Sequence, residues 1–131
     1  MGLEDWETEL VEEHLRQFAA AAPALGAAVV ASADGFLLAQ VAGKMGAAER
    51  LAAMTSTMLA VAAAMGRELA LGQCDVLTLQ ARAGQVLMLS LPMERRSLLL
   101  MATCADREQL EATIATAREY GRRLALKLEV A

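Results

Sequence analysis

Apolar side chains recur along this chain with two different periods, and the changes of period divide it into eight segments. From Glu4 to Ala22, charged residues surround apolar ones at Trp6, Leu10, Val11, Leu15 and Phe18, the spacing of an amphipathic helix that Pro23 ends. Residues Ala27 to Ser32 then have the β-branched content of a strand. Ala33-Asp34-Gly35 supplies a turn before Phe36 to Val41, which predicts a hairpin. Gly43 and Gly46 open a loop, and the stretch from Ala47 to Ala70 is rich in Ala, Leu and Met and has no strand character. It predicts one long helix ending near Gly72.

Three apolar runs follow, Cys74 to Ala81, Val86 to Met93 and Ser97 to Cys104, joined by links short enough for an antiparallel meander. Asp106 with Gln109 resembles a capping box, and Leu110, Ile114, Ala117, Gly121, Leu124 and Leu128 recur at helical spacing beyond it. The order is helix, strand, strand, helix, strand, strand, strand, helix. That order predicts an α+β fold, one five-stranded antiparallel sheet with helices on its faces, in a single domain over residues 1–131.

The long helix carries the strongest signal. Between Leu51 and Gly66 no residue is charged, and the polar side chains are the hydroxyls of Thr55, Ser56 and Thr57. Such a helix is buried on more than one side, yet it is too short and too weakly apolar to span a membrane. A helical projection puts Leu51, Met54, Met58, Val61 and Met65 on one bulky face, suited to fill the space above the sheet. Ala52, Ala53, Ser56, Ala60, Ala63 and Ala64 lie roughly opposite. Small side chains there admit a second backbone, either a second copy of the chain or another helix of the same chain. Glu49, Arg50, Thr57, Arg67 and Glu68 mark the polar edges.

Composition sharpens this picture. Of 131 residues, 56% are hydrophobic and only 3% aromatic, more apolar surface than a domain of this size hides within itself, so the chain is expected to associate with a second copy. A formal net charge of −4 excludes a nucleic-acid partner, which requires clustered Lys and Arg. Only Lys44 and Lys127 are lysines, and this Ala-rich, Arg-over-Lys usage suggests a GC-rich bacterial genome. The acidic start, Met1-Gly2-Leu3-Glu4-Asp5, lacks the basic and apolar regions of a signal peptide, so a cytoplasmic location is expected. Cys74 and Cys104, beside strand-like runs, read as buried reduced thiols.

Candidate chemistry is sparse. His14, the single histidine, lies on a charged helix without a triad pattern and reads as solvated. Gly43-Lys44 resembles the end of a phosphate-binding loop, but that motif needs a glycine where Leu38 stands and Ser or Thr where Met45 stands. Arg95-Arg96 in a strand-to-strand turn reads as solvated, the alternative being a finger-like donor to a phosphoryl group. Arg122-Arg123 reads as a favourable charge pair at a helix end. No catalytic residue, metal site, cofactor or small-molecule substrate is assigned; the chain is expected not to be an enzyme.

Gly26-Ala27-Ala28-Val29-Val30-Ala31-Ser32-Ala33-Asp34-Gly35-Phe36-Leu37-Leu38-Ala39, the Ala-rich helix ending at Gly72, and Gly84 before Val86 carry a resemblance. Together with the element order, over residues 10–128, they make the chain similar to the Roadblock family, which includes dynein light chains and bacterial regulators of Ras-like GTPases. The resemblance implies a profilin-like architecture and a homodimer built through the long helix and the third strand. With the helical projection, Ala53, Ser56, Ala60, Ala63, Ala64, Asp75 and Leu77 are expected in that dimer interface, and Arg50, Thr57, Arg67 and Glu68, polar groups on an otherwise apolar helix, at a small Ras-like GTPase. The alternative it leaves open is a passive subunit of a larger assembly, such as a motor-complex light chain.

Overall fold

In the computed structural model, which describes residues 3–41 and 47–130, the hydrophobic periods resolve into three helices and five strands. They are α1 (Asp5–Ala21), β1 (Leu25–Ser32), β2 (Leu37–Val41), α2 (Ala48–Glu68), β3 (Leu77–Ala81), β4 (Gly84–Ser90), β5 (Leu98–Cys104) and α3 (Leu110–Val130). The glycine loop with Gly43, Lys44, Met45 and Gly46 lies outside the described residues. All pairings are antiparallel, in the order β2-β1-β5-β4-β3. The hairpins β1–β2 and β3–β4 therefore flank β5, and β2 and β3 form the edges.

Strand side chains alternate between two layers, as a pleat requires. Ala28, Val30, Leu87, Leu89, Leu98, Leu100 and Ala102 point to one face, where Val11, Leu15 and Phe18 of α1 meet Ile114, Ala117 and Leu124 of α3. Val29, Ala31, Met88, Leu99 and Met101 point to the other, which α2 covers with Ala48, Ala52 and Leu59. Phe18 and Tyr120 link α1 to α3, their ring centroids 6.4 Å apart.

The local chemistry explains where elements begin and end. Glu4 caps α1 in a reciprocal capping box with Glu7, which gives the Glu4 and Glu7 N–H groups acceptors. Asp106 accepts a hydrogen bond from the Glu108 N–H at 2.9 Å, and a 3-10 turn at Arg107–Gln109 leads into α3. In the β1–β2 turn Gly35 has φ of 93°, open to glycine at little cost, and an added Cβ would lie 3.2 Å from the Ala53 Cα. The turn is thereby pressed onto α2.

Four expectations are corrected here. β3 begins at Leu77 rather than Cys74, because residues 71–76 carry the chain from the end of α2 down to the sheet edge; Cys74 is only half-buried. Cys104 is buried, its thiol donating to the Asp106 carbonyl at 3.2 Å. β4 ends at Ser90, so Met93 lies beyond the strand, whereas Met88 and Met101 are core residues. His14 is buried, not solvated: it sits beside Leu15 and one turn from Val11 and Phe18, and its Nδ1 hydrogen-bonds the Leu10 carbonyl at 3.0 Å.

Candidate docking surface

The orientation of α2 defines the site, and it differs from the expected one: the bulky row does not face the sheet, although Ala53, Ala60 and Ala64 point away from it as expected. Ala48, Ala52, Thr55, Leu59 and Gly66 face the sheet, with Ala52 fully buried. The bulky row points away: Met54, Val61 and Met65 are 58%, 53% and 57% exposed, Met58 is exposed as well, and Leu51 is half-buried at the margin. The reason is space. Val29, Leu99, Met101 and Met88 already occupy the layer between sheet and helix, and the small Ala48, Ala52 and Thr55, with Leu59 as the one large fully inward residue, let the backbone of α2 come close. Thr55 is tolerated there because its hydroxyl donates to the Leu51 carbonyl at 2.8 Å within the helix.

The expected interface residues fall into separate groups. Ala53, Ala60 and Ala64 are exposed, whereas Ser56 and Ala63 are half-buried. The Ser56 hydroxyl donates to the Ala33 carbonyl of the β1–β2 turn. Ala63 lines an open groove with Leu59, Arg67, Asp75, Ser90 and Ser97, at the end of the sheet. Asp75 is exposed in the connector ahead of β3, and Leu77 is half-buried against the α2 layer. Arg50, Thr57, Arg67 and Glu68 are all exposed. Beside them β3 offers an open edge with Leu79 at 44% exposure, and Leu69 and Leu71 are exposed past the end of α2.

The outer surface of α1 and α3 is chemically different. Arg16 pairs with Glu13 at 2.9 Å, Arg122 and Arg123 pair with Glu119 at 2.6 and 3.1 Å, and Arg123 lies over the Tyr120 ring. Arg122 first, then Arg123, hold the Glu119 carboxyl below its usual range. Arg122 and Arg123 are thus an ion-paired face. Arg96 is exposed, as expected, but not free to act as a finger: it reaches back to the buried Glu7 at 2.7 Å, and its hydrogen bond, then that of the Glu4 N–H, lowers the Glu7 pKa. Glu129 accepts hydrogen bonds from the Glu94 and Arg95 N–H groups, so the β4–β5 turn is held from α1 and from α3.

Charge on this face is dense and partly paired, while the α2 face is apolar and carries charges only at its ends, unpaired among the described residues. Among those residues no three His, Cys, Asp or Glu gather as a metal site, and no helix is long and apolar enough to cross a membrane. The surface suits contact with another protein.

Comparison with known proteins agrees with that chemistry. The family model described as Roadblock/LC7 domain matches residues 10–103. No curated protein matches the chain. Among solved structures it is similar to Myxococcus xanthus MglB, at 12% identity, a TM-score of 0.84 and coverage of 99% of this chain and 96% of that one. It is similar also to the gliding protein mglB of Thermus thermophilus, at 18% identity, TM-score 0.76, covering 97% and 96%. A third is a Roadblock/LC7 domain from Streptomyces avermitilis, at 13% identity, TM-score 0.79, covering 90% and 97%.

Proposed function

Because the chain belongs to the Roadblock/LC7 domain family, we propose that it is a non-catalytic cytoplasmic module that docks a small Ras-like GTPase on the outer face of α2. The observation that carries this reading is the outward row of Met54, Met58, Val61 and Met65. Burying such a side chain is worth about 1.5–3 kcal/mol, so a folded domain that leaves a whole row in water has a partner for it. Methionine suits the purpose, since its unbranched side chain adapts to a surface that changes shape with its nucleotide.

A second copy completes the module in this proposal. β3 is an edge with unpaired backbone groups, and joining β3 to β3 of another copy makes two five-stranded sheets continuous. Asp75 and Leu77 lie at that junction. The exposed small residues Ala53, Ala60 and Ala64 border the platform, Ser56 and Ala63 being engaged largely within the chain. Arg50, Thr57, Arg67 and Glu68 supply its polar contacts and hence its specificity. The module acts by binding one arrangement of the GTPase switch loops better than the other, which shifts their population.

Small GTPases encoded near this gene, each loaded with GDP or a non-hydrolysable GTP analogue, provide the test by biolayer interferometry on immobilised protein. Binding of one GTPase in one nucleotide state is expected. Absence of binding in both states across that set would sink the proposal in favour of a passive assembly subunit.

A further inference from the structure

The sheet is open at the end where β4 outruns β3. β3 pairs with β4 only as far as Met88, opposite Leu77, whereas β5 pairs with β4 two residues further, to Ser90 opposite Leu99. Successive strand residues turn their N–H and C=O groups to alternate sides. The Leu91 N–H goes to the Leu98 carbonyl of β5. Ser90, its neighbour, therefore turns both backbone groups away from β5, to the side that the connector at residues 71–76 has left uncovered. Ser90 is exposed there, and Pro92, which has no N–H, ends the free edge.

A cleft runs over this edge. One part, about 920 Å³, lies between Leu59, Ala63 and Arg67 of α2 and the links at Gln73 and Glu94, and the other, about 380 Å³, reaches Arg118 and Arg122 of α3. Both parts share Asp75, Ser90 and Pro92, so the cleft passes from the α2 layer across the end of the sheet to the α3 layer. Its charge changes sign on the way. Arg67 stands at the α2 lip, Asp75 and Glu94 lie on the links at the level of the sheet, and Arg118 stands at the α3 lip beside Arg122. Arg67, Asp75, Glu94 and Arg118 are all exposed, and none of the four has a salt bridge among the described residues, whereas Arg122 is held by Glu119.

We propose that this cleft binds an extended segment of a second protein, about six residues long, with a carboxylate at each end and a basic side chain between them. The Ser90 N–H and C=O give the segment a strand-like pair of hydrogen bonds, and the order of charges in the cleft selects its sequence. Its length follows from the layers. A helix is about 10 Å across, so the two helix layers stand roughly 20 Å apart over the sheet, a span that six extended residues cover at ~3.3 Å each. The cleft requires neither the GTPase nor the β3 junction. Arg67 and Asp75 border those surfaces as well, so Ser90 and Arg118 carry the test.

An array of six-residue peptides blocked at both ends, with two Glu and one Lys in every order among Ser and Val, tests the charge pattern on the whole chain. Peptides with Glu at both ends and Lys inside are expected to bind above all others, and more weakly in high salt. The tightest of them is then labelled for fluorescence anisotropy. Arg118→Glu is expected to weaken it about tenfold, and exchanging one of the two terminal Glu of the peptide for Lys should restore binding to that variant. Ser90→Pro removes the free N–H and spares the β5 ladder, so a loss of about tenfold or more is expected, whereas Ser90→Ala keeps the N–H and should bind as the wild type. Arg118 is on the surface, which keeps the test decisive if Ser90→Pro disturbs folding. Binding indifferent to the order of charges, no binding at millimolar peptide, or an Arg118→Glu variant that binds as the wild type overturns the proposal. Equal losses in Ser90→Ala and Ser90→Pro overturn it too, by placing recognition in the hydroxyl. Each of these failures leaves GTPase docking on α2 intact.

Discussion

On one face of the sheet, α1 and α3 bury Phe18, Ile114 and Leu124 against Leu87, Leu100 and Ala102, and their outer surfaces end in paired charges. On the other face a single helix covers Val29, Leu99 and Met101 with alanines, and turns its methionines to water. The same pleated sheet thus supports a layer that is complete within one chain and a layer that is not. The difference lies in the helices. α1 and α3 put large residues inward and charges outward, whereas α2 keeps Leu59 inward, turns Met54, Met58, Val61 and Met65 outward and carries almost no charge between its ends.

The largest expected effect is on the completed side. Leu100→Ala removes a buried side chain from between α1 and α3, and chemical denaturation should show a loss of about 3–4 kcal/mol. A loss under about 1 kcal/mol would mean that this face is loosely packed and the contrast is overstated.

Gly66→Ala probes how tightly the other face is seated. A Cβ there would come within 2.5 Å of the Gly72 carbonyl oxygen, so the turn after α2 must shift. A loss of about 1–3 kcal/mol is expected in the same assay, and none would place that turn further from the helix than described.

Glu7→Gln sharpens the charged side of the comparison, with an expected loss of about 1–2 kcal/mol near neutral pH from the charge-assisted bond to Arg96. Glu7 titrates below the ordinary glutamate range because Arg96 stabilises the carboxylate. Its contribution is therefore fully present above the unfolded value and fades as pH falls through the lower folded one. Wild type and variant should converge in stability below that range, as urea titrations at several pH values would reveal. A gap constant down to pH ~2 would assign the effect to packing instead.

Much of this contrast was legible in the residues, but not its sign on α2. The hairpin at Asp34-Gly35, the meander and the helix at Leu110 are local matters of turn chemistry and period, and they appear as expected apart from the later start of β3 and the earlier end of β4. The direction of α2 is not local. Its bulky row and its small row are equally periodic, and which one meets the sheet depends on how thick a layer Met88, Leu99 and Met101 already make across strands far apart in sequence. The row Ala48, Ala52, Thr55, Leu59 was the available clue, since small residues at helical spacing permit close approach as readily to a sheet as to a helix. His14 was readable from its neighbours Val11, Leu15 and Phe18 on one helical face, had its type not suggested solvent. The Glu7 to Arg96 pair needed the topology, which brings the start of α1 to the β4–β5 turn.

The large residues of α2, on this reading, serve contact between proteins and not the interior of this one. The direct test replaces Met54, Val61 and Met65 together with Gln and records far-UV circular dichroism with thermal melts at several protein concentrations. The expected result is an unchanged spectrum, a melting temperature that no longer rises with concentration, and loss of self-association. A chain that fails to fold at every concentration would contradict it, and would return those three residues to the core.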